Sequence, residues 1–100
     1  MDPKVIECWN KALEEFRLAE KKCSEAKREI VIEHLIASVA FAYATIVAVK
    51  DGETDLASGD FFDFGGQIKN KSIHETLLLA KEALQRIHGL VPRDYYLPEP

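Results

Sequence analysis

The chain has 100 residues, enough for one domain built on one hydrophobic core. Its hydrophobic content of 47% excludes a disordered chain. A net charge of −4 at pH 7 argues against non-specific binding to nucleic acid or to an anionic membrane surface as a main role.

Asp2-Pro3 reads as a helix start, with Asp at the cap and Pro at the first helical position. A heptad follows. One seam position is held by Trp9, Phe16, Cys23, Ile30, Ala37 and Ala44, the other by Val5, Ala12, Ala19, Ala26, Glu33, Ala40 and Val47. Of these thirteen positions only Glu33 is charged. The opposite face carries Glu7, Lys11, Glu14, Glu15, Lys21 and Lys22, with Glu7 and Lys11 spaced for an i,i+4 pair. The phase survives the polar patch Lys21-Lys22-Cys23-Ser24-Glu25, where neither Gly nor Pro intervenes. It predicts one helix from Pro3 to about Lys50, roughly 70 Å long. A compact domain of this size has a radius of gyration of about 13 Å. Such a helix would need a partner chain, and the alternative is a hairpin turning near Ser24. Cys8 and Cys23 fall in this helical pattern without metal-ligand spacing and read as two small buried thiols.

Ile30 to Val49 is the stretch around which the rest must pack. Only Glu33, His34, Ser38 and Thr45 interrupt it. Apolar residues fall on every side, which predicts a helix buried nearly all round. Its length would also suit a membrane span. Glu33 and His34 inside it make the core-helix reading the better one, since charge in a span costs several kcal/mol. Ala37, Ala40, Ala44 and Ala48 form a narrow stripe that lets a second helix approach closely. That helix is either a second copy's or this chain's own last helix. With a dimer as the first reading, Trp9, Phe16, Ala37, Ala40, Ala44 and Val47 are the expected interface.

Lys50-Asp51-Gly52 should end the helix, with Gly52 as C-cap. The linker beyond holds Phe61, Phe62 and Phe64, too apolar for a free loop and expected to form a short helical lid on the core. Ser72-Ile73-His74-Glu75 is a capping box, and Ile73, Leu77, Ala80, Leu84 and Ile87 then recur at helical spacing. This helix should stop at Gly89, ahead of Pro92. Residues 92–100 read as an extended Pro/Tyr tail beyond a single domain of residues 1–91. The tail either packs on the bundle or takes a protein partner.

Candidate chemistry is sparse. Asp51, Glu53 and Asp55 have the first ligand spacings of an EF-hand loop, but Leu56 stands where Gly is needed and Phe62 where the bidentate Glu belongs. An acidic, solvated loop is the reading. No Glu-x-x-His pair for a di-iron bundle occurs, and Gly65-Gly66 lacks the spacing of a phosphate loop. No cofactor or metal is expected. Glu29, Glu33 and His34 cluster at the start of the apolar stretch, and Arg28, Glu33 and His34 are the candidate catalytic group under an alternative reading. Glu33 could serve there as acid or base, or, as a seam residue, fix register in a dimer.

Trp9-Asn10-Lys11-Ala12, the Ala-rich stretch from Arg28 to Val49 and Ala80-Lys81-Glu82-Ala83 together resemble small HEPN-type helical bundles. The resemblance implies a bundle of four or five helices, often dimeric, and a role beside nucleotidyltransferases, in toxin–antitoxin pairs or in RNA processing. Ribonuclease members carry Arg, four to six residues, then His on a late helix. Arg28 and His34 have five residues between them but stand before the core helix. The resemblance also requires the turn near Ser24.

The sequence thus predicts an all-α helical bundle: a long apolar helix, a Phe-rich lid and a capped C-terminal helix. The expected role is that of a cytoplasmic, non-enzymatic interaction protein that self-associates. The charged N-terminus has no signal-peptide core, hence the cytoplasm. A HEPN-like RNA-processing component is the alternative.

Overall fold

A computed structural model describes residues 3–49 and 64–100. Among them lie four α-helices and no strand: α1 (Pro3–Lys22), α2 (Arg28–Val49), α3 (Phe64–Gln67) and α4 (Ile73–Leu90), followed by a single 3₁₀ turn (Arg93–Tyr95). The architecture is an all-α helical bundle. Asp2, Lys50, Asp51, Gly52, Glu53, Asp55, Leu56, Phe61 and Phe62, on which the helix caps, the acidic loop and part of the lid were expected, lie outside the described residues.

The helix expected to run unbroken to Lys50 is two helices. Its chain turns at residues 23–27, and α2 folds back antiparallel on α1. The last turn of α1 closes through the Glu25 and Ala26 N–H groups, which donate to the Lys22 carbonyl at 3.0 and 2.8 Å. The Ile30 and Val31 N–H groups then donate to the Lys27 carbonyl and start α2. The charges suit the end of α1 better than the start of α2, where Arg28 opposes Glu29. Lys21 and Lys22 sit in the last turn of α1 and Glu29 in the first turn of α2, each complementing its helix dipole. The radius of gyration is 13.1 Å, a value that a helix of the expected length could not give.

Helix α1 is amphipathic and turns Val5, Trp9, Ala12, Leu13, Phe16 and Ala19 inward. Helix α2 meets it with Val31, Leu35, Ser38, Val39, Ala42, Thr45 and Ile46. These are not the residues of the heptad. Ile30, Glu33 and Ala40 are exposed, and Ala37, Ala44 and Val47 only half-buried. The seam that continues in phase from α1 therefore points outward once the chain has turned. Helix α4 covers the other side of α2 with Thr76, Ala80, Leu84 and Ile87. Each large aliphatic side chain in this core is worth roughly 1.5–3 kcal/mol of burial.

Ser72 caps α4 as expected: its side chain accepts the Glu75 N–H at 3.1 Å. The helix does not stop at Gly89 but runs on to Leu90, and the Val91 N–H bonds back to Ile87 and His88. Phe64 in α3 is buried, and Ile68 behind it is too, so this part of the lid closes on the core. The Arg28 guanidinium donates to the Ile68 carbonyl at 3.4 Å and ties the start of α2 to the α3 segment. Cys8 and Cys23 are free and half-buried; the Cys23 thiol donates to the Glu20 carbonyl at 3.0 Å.

Candidate functional site

Two polar constellations and one apolar face could carry function. The first joins α1 to α2. The Lys22 ammonium donates to His34 Nε2 at 3.3 Å, and the His34 Nδ1–H donates to Glu15 Oε2 at 2.6 Å. Those roles follow from the chemistry. An ammonium has only hydrogens to give, so Nε2 must offer its lone pair and the ring proton sits on Nδ1. Glu15 and His34 stand at matching distances on either side of the turn, so the hairpin brings them together. Their side chains are 27% and 21% exposed, which leaves the pair only partly shielded from water.

A carboxylate orienting an imidazole is half of a nucleophile-activating arrangement. Among the described residues the other half is not offered. Nε2 is engaged by Lys22. Ser38, one turn beyond His34 on the same side of α2, is fully buried and donates to the Ala12 carbonyl at 2.6 Å. The group therefore acts as a clamp across the hairpin. Arg28, Glu33 and His34, the alternative catalytic set, are not brought together. Arg28 reaches the α3 segment, His34 reaches α1, and Glu33 is exposed on the outer side of α2. Among the described residues no three His, Cys, Asp or Glu side chains converge as a metal site would need.

The second constellation holds the C-terminal tail. The buried Trp9 indole N–H donates to the Pro98 carbonyl at 2.7 Å, and His88 Nε2–H to the Leu97 carbonyl at 2.9 Å. The two rings lie 5.6 Å apart. Tyr95 and Leu97 pack against the core, while Tyr96 is 86% exposed. The tail is seated on its own bundle through Tyr95, Leu97 and Pro98, while Tyr96 is turned outward.

The apolar face is the outer side of α2. Ile30 is 40% and Ile36 43% exposed, with Ala40 exposed and Ala37, Ala44, Val47 and Ala48 half-buried beside them. Of the six residues expected at an interface, Ala37, Ala40, Ala44 and Val47 belong to this face. Trp9 and Phe16 do not: both are buried in the core of the single chain. Sequence reasoning missed Glu15, Lys22 and His88. The basic pair Lys21-Lys22 at the end of α1 was the signal for the turn, and the turn pairs Glu15 with His34. No local signal connects His88 to Trp9.

Among the described residues, the fold and these sites define a small all-α helical bundle with one apolar helix that is partly exposed. Scans of protein-family models, of curated proteins and of solved structures find no match for this chain.

Proposed function

We propose that this chain is a small cytoplasmic interaction protein that self-associates through the outer side of α2. The observation that carries this reading is the two-sidedness of that helix. Seven of its residues are buried against α1 and α4, yet the opposite side still presents Ile30, Ile36 and the alanine stripe. A surface helix of a monomer would carry charge there. Among the described residues α2 is also the helix long and apolar enough to cross a membrane. Its packing between α1 and α4 favours a core helix, and a second copy would cover the side on which Ile30, Ile36 and Ala40 are exposed.

Sedimentation of the wild-type protein at micromolar concentration should give a dimer. Ala40→Glu should return it to a monomer with unchanged helix content, because Ala40 is exposed in the single chain. A wild-type monomer would overturn the reading.

One observation favours a second reading. The hairpin turn at residues 23–27 is the turn that the HEPN resemblance requires. An RNA-processing component is tested by incubating the pure protein with RNA and comparing wild type with His34→Ala. Cleavage lost in the variant supports it, and intact RNA in both sinks it.

A further inference from the structure

The tail is gripped by donors from two different helices. Trp9 on α1 takes the Pro98 carbonyl and His88, in the last turn of α4, takes the Leu97 carbonyl. Two donors fixed side by side read consecutive carbonyls of an extended segment. The segment's own chemistry fits. Leu97 supplies an apolar side chain to the core cluster, and Pro98 has no N–H to leave unpaired when it is seated. The indole in turn needs this partner, since a buried Trp N–H without an acceptor is costly.

The connection that delivers the tail is strained. Tyr96 sits at φ 51°, ψ 44°, in the left-handed region, held by its N–H donating to the Arg93 carbonyl at 3.0 Å. That conformation is costly for a residue with a Cβ. The Tyr96 side chain, 86% exposed, gains little packing in return. The strain belongs to the sharp turn back onto the same molecule. A tail that runs straight on to another copy does not need it, and short strained hinges favour such exchange.

We propose that Trp9 and His88 form a two-donor site for an extended Leu-Pro segment, and that in trans this segment is the tail of a second copy of the chain. The site lies on α1 and α4 and does not depend on the outer side of α2.

Trp9 is the single tryptophan of the chain, so its indole N–H gives one NMR signal. The probe is a synthetic peptide of residues 92–100 bearing a nitroxide, added to the full-length protein. At about 1 mM, the range of a short tether's effective concentration, it should broaden the Trp9 signal. A peptide with Gly in place of Leu97 and Pro98 should leave the signal sharp. Full-length Tyr96→Pro, which forbids the left-handed turn, should capture the peptide about five-fold more readily, and Tyr96→Gly, which relaxes it, less readily than wild type. The proposal is overturned if the wild-type peptide leaves Trp9 unbroadened, or if Tyr96→Pro and Tyr96→Gly capture it alike. Should Tyr96→Pro fail to fold, the titration of the unmodified chain and its comparison with Tyr96→Gly decide the matter. Ala40→Glu should not change peptide capture, which separates this site from self-association through α2.

Discussion

The Ser38 hydroxyl on α2 donates to the Ala12 carbonyl on α1 at 2.6 Å, with both residues fully buried. This contact marks a close approach of the two long helices, where a small residue on each side lets the backbones draw together. Ser38→Ala keeps the volume and removes one hydrogen bond, so it should cost about 1 kcal/mol in urea unfolding. Ser38→Val must fit extra methyl groups between the helices and should cost about 1–3 kcal/mol. If valine proved no worse than alanine, the helices would not be closely packed at this point.

Glu33 stands among the alanines on the outer side of α2, exposed in the single chain. Glu33→Leu should therefore leave monomer stability within about 0.5 kcal/mol. In a dimer formed through that face the same change removes a charge from the contact and should tighten association, read as a lower dissociation constant by sedimentation. An unchanged constant would place Glu33 outside the contact.

Glu15 and His34 lie 2.6 Å apart between helices, only partly shielded from water. A double-mutant cycle of Glu15→Ala and His34→Ala should give a coupling of about 0.5–1 kcal/mol. Adding Lys22→Met should weaken that coupling, since Lys22 fixes which ring nitrogen faces the carboxylate. Fully additive single changes would mean that the clamp contributes nothing to stability.

Ser72 satisfies the Glu75 N–H at the start of α4. Ser72→Ala should cost about 1 kcal/mol, seen as a lower urea midpoint with an unchanged slope. No loss would mean that water caps the helix equally well.

Gly89 lies inside the last turn of α4, and a Cβ built there meets none of the described residues within 4 Å. Gly89→Ala should stabilise the protein by about 0.5–1 kcal/mol, because alanine loses less backbone freedom in a helix. A lower melting temperature in the variant would show that the site needs glycine for a reason other than helix formation.

Local signals were read correctly where the physics is local. The Ser72 cap depends on residues three apart; the repeat also places Ala80, Leu84 and Ile87 of α4 inward, while Ile73 and Leu77 are half-buried and Thr76 takes a buried position the pattern did not mark. The stop at Gly89 was misplaced because glycine permits a helix end without forcing one. The hairpin was misjudged for a different reason. Phase continuity across residues 23–27 favours one helix over a hairpin near Ser24, yet α2 is apolar on all sides and stays in phase with any seam. Lys21 and Lys22 held the better signal, because a helix end attracts basic residues; Glu29 suits the start that follows, while Lys27 and Arg28 beside it do not.

By itself, the sequence determined that the protein is all-α, that Ile30 to Val49 is its apolar centre and that a capped helix begins after Ser72. These follow from propensity, composition and short-range spacing. Only the tertiary structure decided which side of α2 faces inward, that Trp9 and Phe16 are buried within one chain, and that His34 meets Glu15. It also decided that the tail ends against Trp9 and His88. The reason is that an evenly apolar helix carries no phase of its own. Its orientation is set by what packs against it: the close contact at Ala12 and Ser38, and the cover supplied by α4.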